Sequence, residues 1–97
     1  MIYNMKATLI YEDIKDIESG GFVEVVVWAV PSPVQGSTHG YKYRFAYVVN
    51  GACVLRYDNE AGKGDHKHAG TSEIPYEFAS VPQLLADFMS DVRKWKE

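Results

Sequence analysis

The thirteen residues from Arg56 to His68, Arg-Tyr-Asp-Asn-Glu-Ala-Gly-Lys-Gly-Asp-His-Lys-His, gather side chains that can move protons, hold phosphate or bind metal. His66 and His68 flank Lys67, so an extended backbone projects both imidazoles to one side. Imidazole suits proton transfer near neutral pH because its unperturbed pKa is about 6.5. Arg56 offers a planar fork that pairs with phosphate, and Lys63 and Lys67 offer point charges for the same purpose. Metal-free cleavage of RNA needs such parts. A base takes the 2′-hydroxyl proton, an acid protonates the leaving 5′-oxygen, and cations hold the scissile phosphate. The candidate catalytic set is therefore His66, His68, Arg56, Asp58 and Tyr57, with Asp58 orienting Arg56 or a histidine. Lys42, Arg44, Lys63, Lys67, Tyr43 and Asn59 are the candidate nucleic-acid contacts. Tyr43 and Tyr57 enter as rings on which bases stack, or as proton donors.

The same residues support plainer readings. His-x-His is also the spacing of two ligands to one metal, which His66, His68 and Asp65 would hold, with Asp58 or His39 as further donors. A metal-dependent hydrolase is thus one alternative, and a non-catalytic module that binds protein or nucleic acid is another. The leading reading requires no cofactor. Lys63 between Gly62 and Gly64 lets backbone N–H groups approach an anion, but the stretch lacks the spacing of a P-loop. Asp58 and Asn59 at a strand end also have a local use, bonding their own backbone to start a loop. Glu24, Trp28 and Tyr76 read as solvated or packing residues.

Composition narrows the class. A chain of 97 residues, 46% hydrophobic and 24% charged, is expected to form a single globular domain with a thin core. Its net charge of −3 is unevenly spread. Tyr41 to His68 carries five cations and three acids, the remainder five cations and ten acids, so a locally basic strip sits on an acidic body. Cys53 alone cannot form an internal disulfide, and within its apolar run it reads as a buried thiol. No signal-like N-terminus and no apolar run near the roughly 20 residues of a membrane span is seen, so a cytoplasmic location is expected.

The pattern predicts an α+β fold: an antiparallel sheet of about four to six strands with one C-terminal amphipathic helix on one face. Strands are expected over about 6–17, 22–30, 41–49 and 52–58, with short ones at 65–68 and 74–78. Phe22 to Val30 is apolar at nearly every position and reads as a central strand covered on both faces. Ser19-Gly20-Gly21 suits a hairpin turn, and Pro31-Ser32-Pro33 opens a loop running to Gly40. Asn50-Gly51 is a strong two-residue turn. Counting back from it places Phe45 opposite Arg56, Arg44 opposite Tyr57 and Tyr43 opposite Asp58. Tyr43, Phe45, Tyr47, Arg56 and Asp58 would then share one face, and Lys42, Arg44, Tyr57 and Asn59 the other. Ser80 with Gln83 forms a capping box for a helix over about 81–95, whose apolar stripe is Val81, Leu84, Leu85, Phe88, Met89, Val92 and Trp95.

Taken together, several stretches resemble one family. They are Lys42-Tyr43-Arg44, Arg56-Tyr57-Asp58-Asn59-Glu60, Gly64-Asp65-His66-Lys67-His68, Pro75-Tyr76-Glu77-Phe78 and Leu84-Leu85-Ala86-Asp87-Phe88. From Lys6 to about Val92 the chain is similar to the TumE-like family of small bacterial proteins, the Tyr-Asp-Asn and Gly-Asp-His-Lys-His stretches being the most specific. The resemblance implies the toxin of a type II toxin–antitoxin pair, with a helix-turn-helix antitoxin as partner. RNA is a candidate target, a homodimer is open, and no membrane partner is expected.

Overall fold

A computed structural model describes residues 6–18 and 20–95, so Ser19 of the expected first hairpin turn lies outside the described residues. Among the described residues six strands form one antiparallel sheet in sequence order: β1 (Thr8–Asp16), β2 (Phe22–Ala29), β3 (Tyr41–Val49), β4 (Ala52–Glu60), β5 (Gly64–Ala69) and β6 (Ser72–Pro75). One helix, α1 (Val81–Lys94), packs on one face. The expected α+β architecture is present. The last strand is displaced from its expected range, because Gly70 and Thr71 close a two-residue turn in which Ala69 faces Ser72.

The turn between β3 and β4 follows its sequence. Asn50 and Gly51 both adopt positive φ, 51° and 78°, which matches the right-handed twist of the strands they join. The register beyond it differs from the count. Val49 faces Ala52 and Val48 faces Cys53, but Tyr47 then faces Leu55, so Val54 is bulged out. Phe45 consequently faces Tyr57, Ala46 faces Arg56 and Arg44 faces Asp58. The expected face assignments of Arg56, Asp58, Tyr57 and Asn59 are therefore corrected. The bulge has a clear physical gain: without it the charged Arg56 and Asp58 would lie under the helix, where unpaired charge is very costly. With it, Tyr57 goes under the helix instead.

The core is built on that side. Val23, Val25, Val27, Tyr43, Phe45, Tyr47, Leu55 and Tyr57 meet Leu84, Phe88 and Val92 of α1. Phe88 packs edge-on against both Phe45 and Tyr57, with ring centroids 5.5 Å apart in each pair. Each such side chain contributes roughly 1.5–3 kcal/mol on burial. Ser80 caps the helix by accepting from the Gln83 N–H at 3.1 Å, and Arg93 and Lys94 end it where cations suit the helix dipole.

Among the described residues α1 covers one face and no element covers the other, so β2 is not enclosed there on both sides as its apolar run suggested. Glu24, Val26 and Trp28 are half-exposed on the opposite face. Cys53 is exposed rather than buried, lying just past the turn and beside the bulge. The loop from Pro31 to Gly40 is held to the sheet by backbone contact: the Gly62 N–H donates to the Gln35 carbonyl at 2.8 Å. Gly36 and Gly64 cross there so closely that a Cβ on Gly64 would stand 2.6 Å from the Gly36 carbonyl oxygen. Gly64 also has a φ of 75°. Gly64→Ala is expected to cost roughly 1–3 kcal/mol in strain alone, read as a lower urea midpoint with an unchanged slope.

Candidate functional site

Alternation along β4 and β5 places four polar side chains on the face away from the helix. Arg56 pairs across the ladder with His68, and Asp58 with His66. The contacts are direct. An Arg56 Nη2–H lies 2.9 Å from His68 Nε2, and Arg56 Nε lies 3.3 Å from Asp58 Oδ2. Asp58 Oδ1 is 2.8 Å from His66 Nε2. Glu73 on β6, opposite His68, completes the group: its Oε2 is 3.5 Å from His66 Nε2 and 3.6 Å from His68 Nε2.

Burial is graded across this cluster. The side chains of His66 and Asp58 are 5% and 11% exposed, whereas His68 and Arg56 are 23% and 31% exposed. His66 and Asp58 therefore form a floor, with His68, Arg56 and Glu73 at the rim. Hollows of about 320 Å³ and about 120 Å³ flank it, the first reaching Lys63, His66 and Glu73 and the second Arg56, His68 and Cys53. Glu73 is held below the usual carboxylate range: desolvation, the largest single effect, pushes it upward, but the nearby cationic groups, Lys63 first and then His68, together outweigh it. Lys63 Nζ stands 3.5 Å from its carboxylate.

Tautomers follow from the partners. Nδ1 of His66 donates to the Gly64 carbonyl at 2.9 Å, so in the neutral ring Nε2 carries a lone pair. That lone pair faces Asp58 Oδ1, itself an acceptor, and neither atom has a well-aligned hydrogen bond. On His68 the guanidinium donor occupies Nε2, which puts the neutral ring's proton on Nδ1.

Other predicted site residues lie elsewhere. Tyr57 faces the helix, donating to the Asp91 carboxylate, and Lys67 Nζ reaches the same carboxylate at 3.3 Å. Tyr43 is fully buried and its hydroxyl donates to Asp65 Oδ2 at 2.7 Å. Asp65 also takes the Ser37 hydroxyl at 2.6 Å and His39 Nε2 at 2.8 Å, so it belongs to a second cluster on the other face, away from His66 and His68. Burial first, and then the hydrogen bonds to Asp65 and Asp91, raise Tyr43 and Tyr57 far above the ordinary phenol value.

Asn59 has no exposed surface. Its Oδ1 accepts from the Tyr43 N–H at 3.0 Å and its Nδ2 donates to the Tyr41 carbonyl at 2.7 Å, which continues the ladder after the β3–β4 pairing stops. Lys42 Nζ donates to the Asn59 carbonyl at 3.1 Å, and Arg44 is exposed, 3.9 Å from Glu24. Both lie on the face that carries Arg56.

Glu73 was not among the sequence candidates. The signal that could have found it is the Gly70-Thr71 turn, which sets a residue of β6 opposite each histidine. Among the described residues no helix is long and apolar enough to cross a membrane. Comparison with curated proteins and with solved structures gives no match. The family model described as toxin TumE, however, matches residues 5–96, nearly the full length of the chain, which therefore belongs to that family of toxin components of toxin–antitoxin systems.

Proposed function

We propose that this toxin acts on RNA in the cytoplasm as an endoribonuclease, through the face that carries Arg56 and His68. The observation that supports this reading is the 2.9 Å contact between a guanidinium and a half-exposed imidazole on the face the helix leaves open. Arg56 would pair with the scissile phosphate and hand His68 Nε2 to the reacting 2′-hydroxyl as base. Asp58 would steady Arg56 by charge, and the Gly64 carbonyl fixes the ring of His66. His66 lies too deep to meet a substrate directly and serves as a positioning residue, or as the second proton carrier through a water. Lys63 and Arg44 extend the cationic surface on either side for neighbouring phosphates, while Lys42 is partly committed to the Asn59 carbonyl. A cognate helix-turn-helix antitoxin would silence the toxin by covering this face.

The test is induced expression, with growth and total RNA followed over time. Arg56→Lys and His68→Gln are expected to relieve growth arrest and to slow RNA loss by about 100-fold or more, the usual contribution of one proton-transfer group. Thermal stability of each variant is measured alongside. If toxicity persists unchanged in stable variants at both positions, the face does no chemistry. A non-catalytic binding role would then take its place.

A further inference from the structure

We infer that Asp58, His66, His68 and Glu73 form a binding site for one divalent transition-metal ion of the Zn²⁺ class. The argument begins at an unfavourable contact. Asp58 Oδ1 and His66 Nε2 are 2.8 Å apart, both are buried, and neither has a well-aligned hydrogen-bond partner. Because Nδ1 of His66 is spent on the Gly64 carbonyl, the atom facing Asp58 is a lone pair in the neutral ring. Two acceptors at that distance repel unless a proton or a metal cation lies between them, so the pair holds a position that either can fill.

The surrounding atoms are arranged for such an ion. The Asp58, His66 and His68 donors lie within 4.8 Å of one another. Glu73 Oε2 stands almost equally far from the two imidazole nitrogens, at 3.5 and 3.6 Å, as one donor of a four-coordinate set does from its neighbours. Two imidazoles and two carboxylates suit zinc, with bonds of roughly 2.0–2.2 Å. The Gly64 carbonyl on the far nitrogen of His66 is the outer-shell contact that fixes a ligating histidine in its tautomer. All four donors come from adjacent strands of one sheet, so a small rotation of Glu73 and His68 closes the set.

One group stands in the way, and it makes the inference testable. Arg56 holds His68 Nε2 and leans on Asp58, so the guanidinium is the cation the cluster carries without metal. Metal must displace it from His68. Removing Arg56 should therefore tighten metal binding, roughly tenfold if two charges of the ion are some 6 Å from the guanidinium even at the dielectric of water. The same substitution abolishes the RNA chemistry proposed above, so the two ideas give opposite signs at one residue.

The experiment titrates purified full-length protein with Zn²⁺ by calorimetry and with Co²⁺ by visible absorption, without RNA. One ion per chain and the visible bands of a four-coordinate Co²⁺ site are expected. His66→Gln should weaken binding beyond the roughly 10–100-fold typical of an outer-shell loss. Glu73→Gln, at an exposed position where folding is not at stake, should weaken it by a smaller factor. Arg56→Ala should tighten it. Dissociation constants above about 1 mM, or Asp58→Asn and Glu73→Gln proteins that bind as the unaltered chain does, overturn the site. Its fate is separable from that of the RNA reading. Ligation occupies His68 Nε2, so if His68 is the base then Zn²⁺ inhibits and a chelator restores cleavage. Cleavage abolished by a chelator would keep the metal site and remove His68 as base.

Discussion

Asn59→Ala is expected to destabilise the protein by about 3–5 kcal/mol, a large share of the roughly 5–15 kcal/mol available to a domain of ordinary stability. The reason is the number of backbone groups that depend on one side chain. Its amide oxygen serves the Tyr43 N–H and its amide nitrogen serves the Tyr41 carbonyl, in place of a ladder that ends at Arg44 and Asp58. Alanine leaves both without a partner in a region closed to water, at about 1–3 kcal/mol each, and loses the contact to Ser37 Oγ as well. Asn59→Asp separates the contributions: it keeps the acceptor for Tyr43 but cannot donate to Tyr41 and buries a charge. Urea unfolding followed by fluorescence measures both. A loss below about 1 kcal/mol for the alanine variant would mean that β3 finds other partners there.

The second large effect is loss of stability in base. Tyr43 and Tyr57 are held as neutral phenols, by burial first and then by the carboxylates of Asp65 and Asp91. In the unfolded chain they ionise near the ordinary value of 10.0. Below that pH both states keep the proton and nothing changes. Above it the unfolded state loses protons that the folded state retains, so stability falls as pH rises, by about 1.4 kcal/mol per pH unit for each residue. Two such residues suffice to unfold a marginal domain within a few pH units. Absorbance at alkaline pH should show these phenolates appearing only together with loss of the fold. The Tyr76 phenol, partly buried and bonded to the Asp87 carboxylate, is held neutral in the same way, so Tyr57→Phe should cut the slope of stability against pH by about a third, whatever it does to stability at neutral pH. A native protein in which every tyrosine titrates near the ordinary value would refute the burial argument.

Much of the architecture was legible because local signals stand alone. Asn50-Gly51 specifies its turn, Ser80 and Gln83 specify the helix start, and His-Lys-His specifies two imidazoles on one side of a strand. The bulge at Val54 was not legible. Cys-Val-Leu-Arg-Tyr reads equally well with or without an extra residue, and only the packing of Tyr57 rather than Arg56 under α1 decides it. The consequence for the candidate site was large, since one unpaired residue turned Arg56 and Asp58, together with the His68 and His66 they pair with, away from the helix and put Tyr57 beneath it. Asp65 and Asn59 were hidden for another reason. Their partners, Ser37, His39, Tyr41 and Tyr43, are 16 to 28 residues distant, and side-chain bonds across such gaps leave no periodicity.

The sequential strand order has a consequence for how the molecule comes into being. Since each ribbon joins the one synthesised just before it, a growing polypeptide can extend its ladder at every step without waiting for distant segments, and the entropy of closing each short connection stays small. Arg56, Asp58, His66, His68 and Glu73 all precede α1 in the chain. Their constellation thus belongs to the ladder alone, and the helix that seals the opposite side contributes none of its groups.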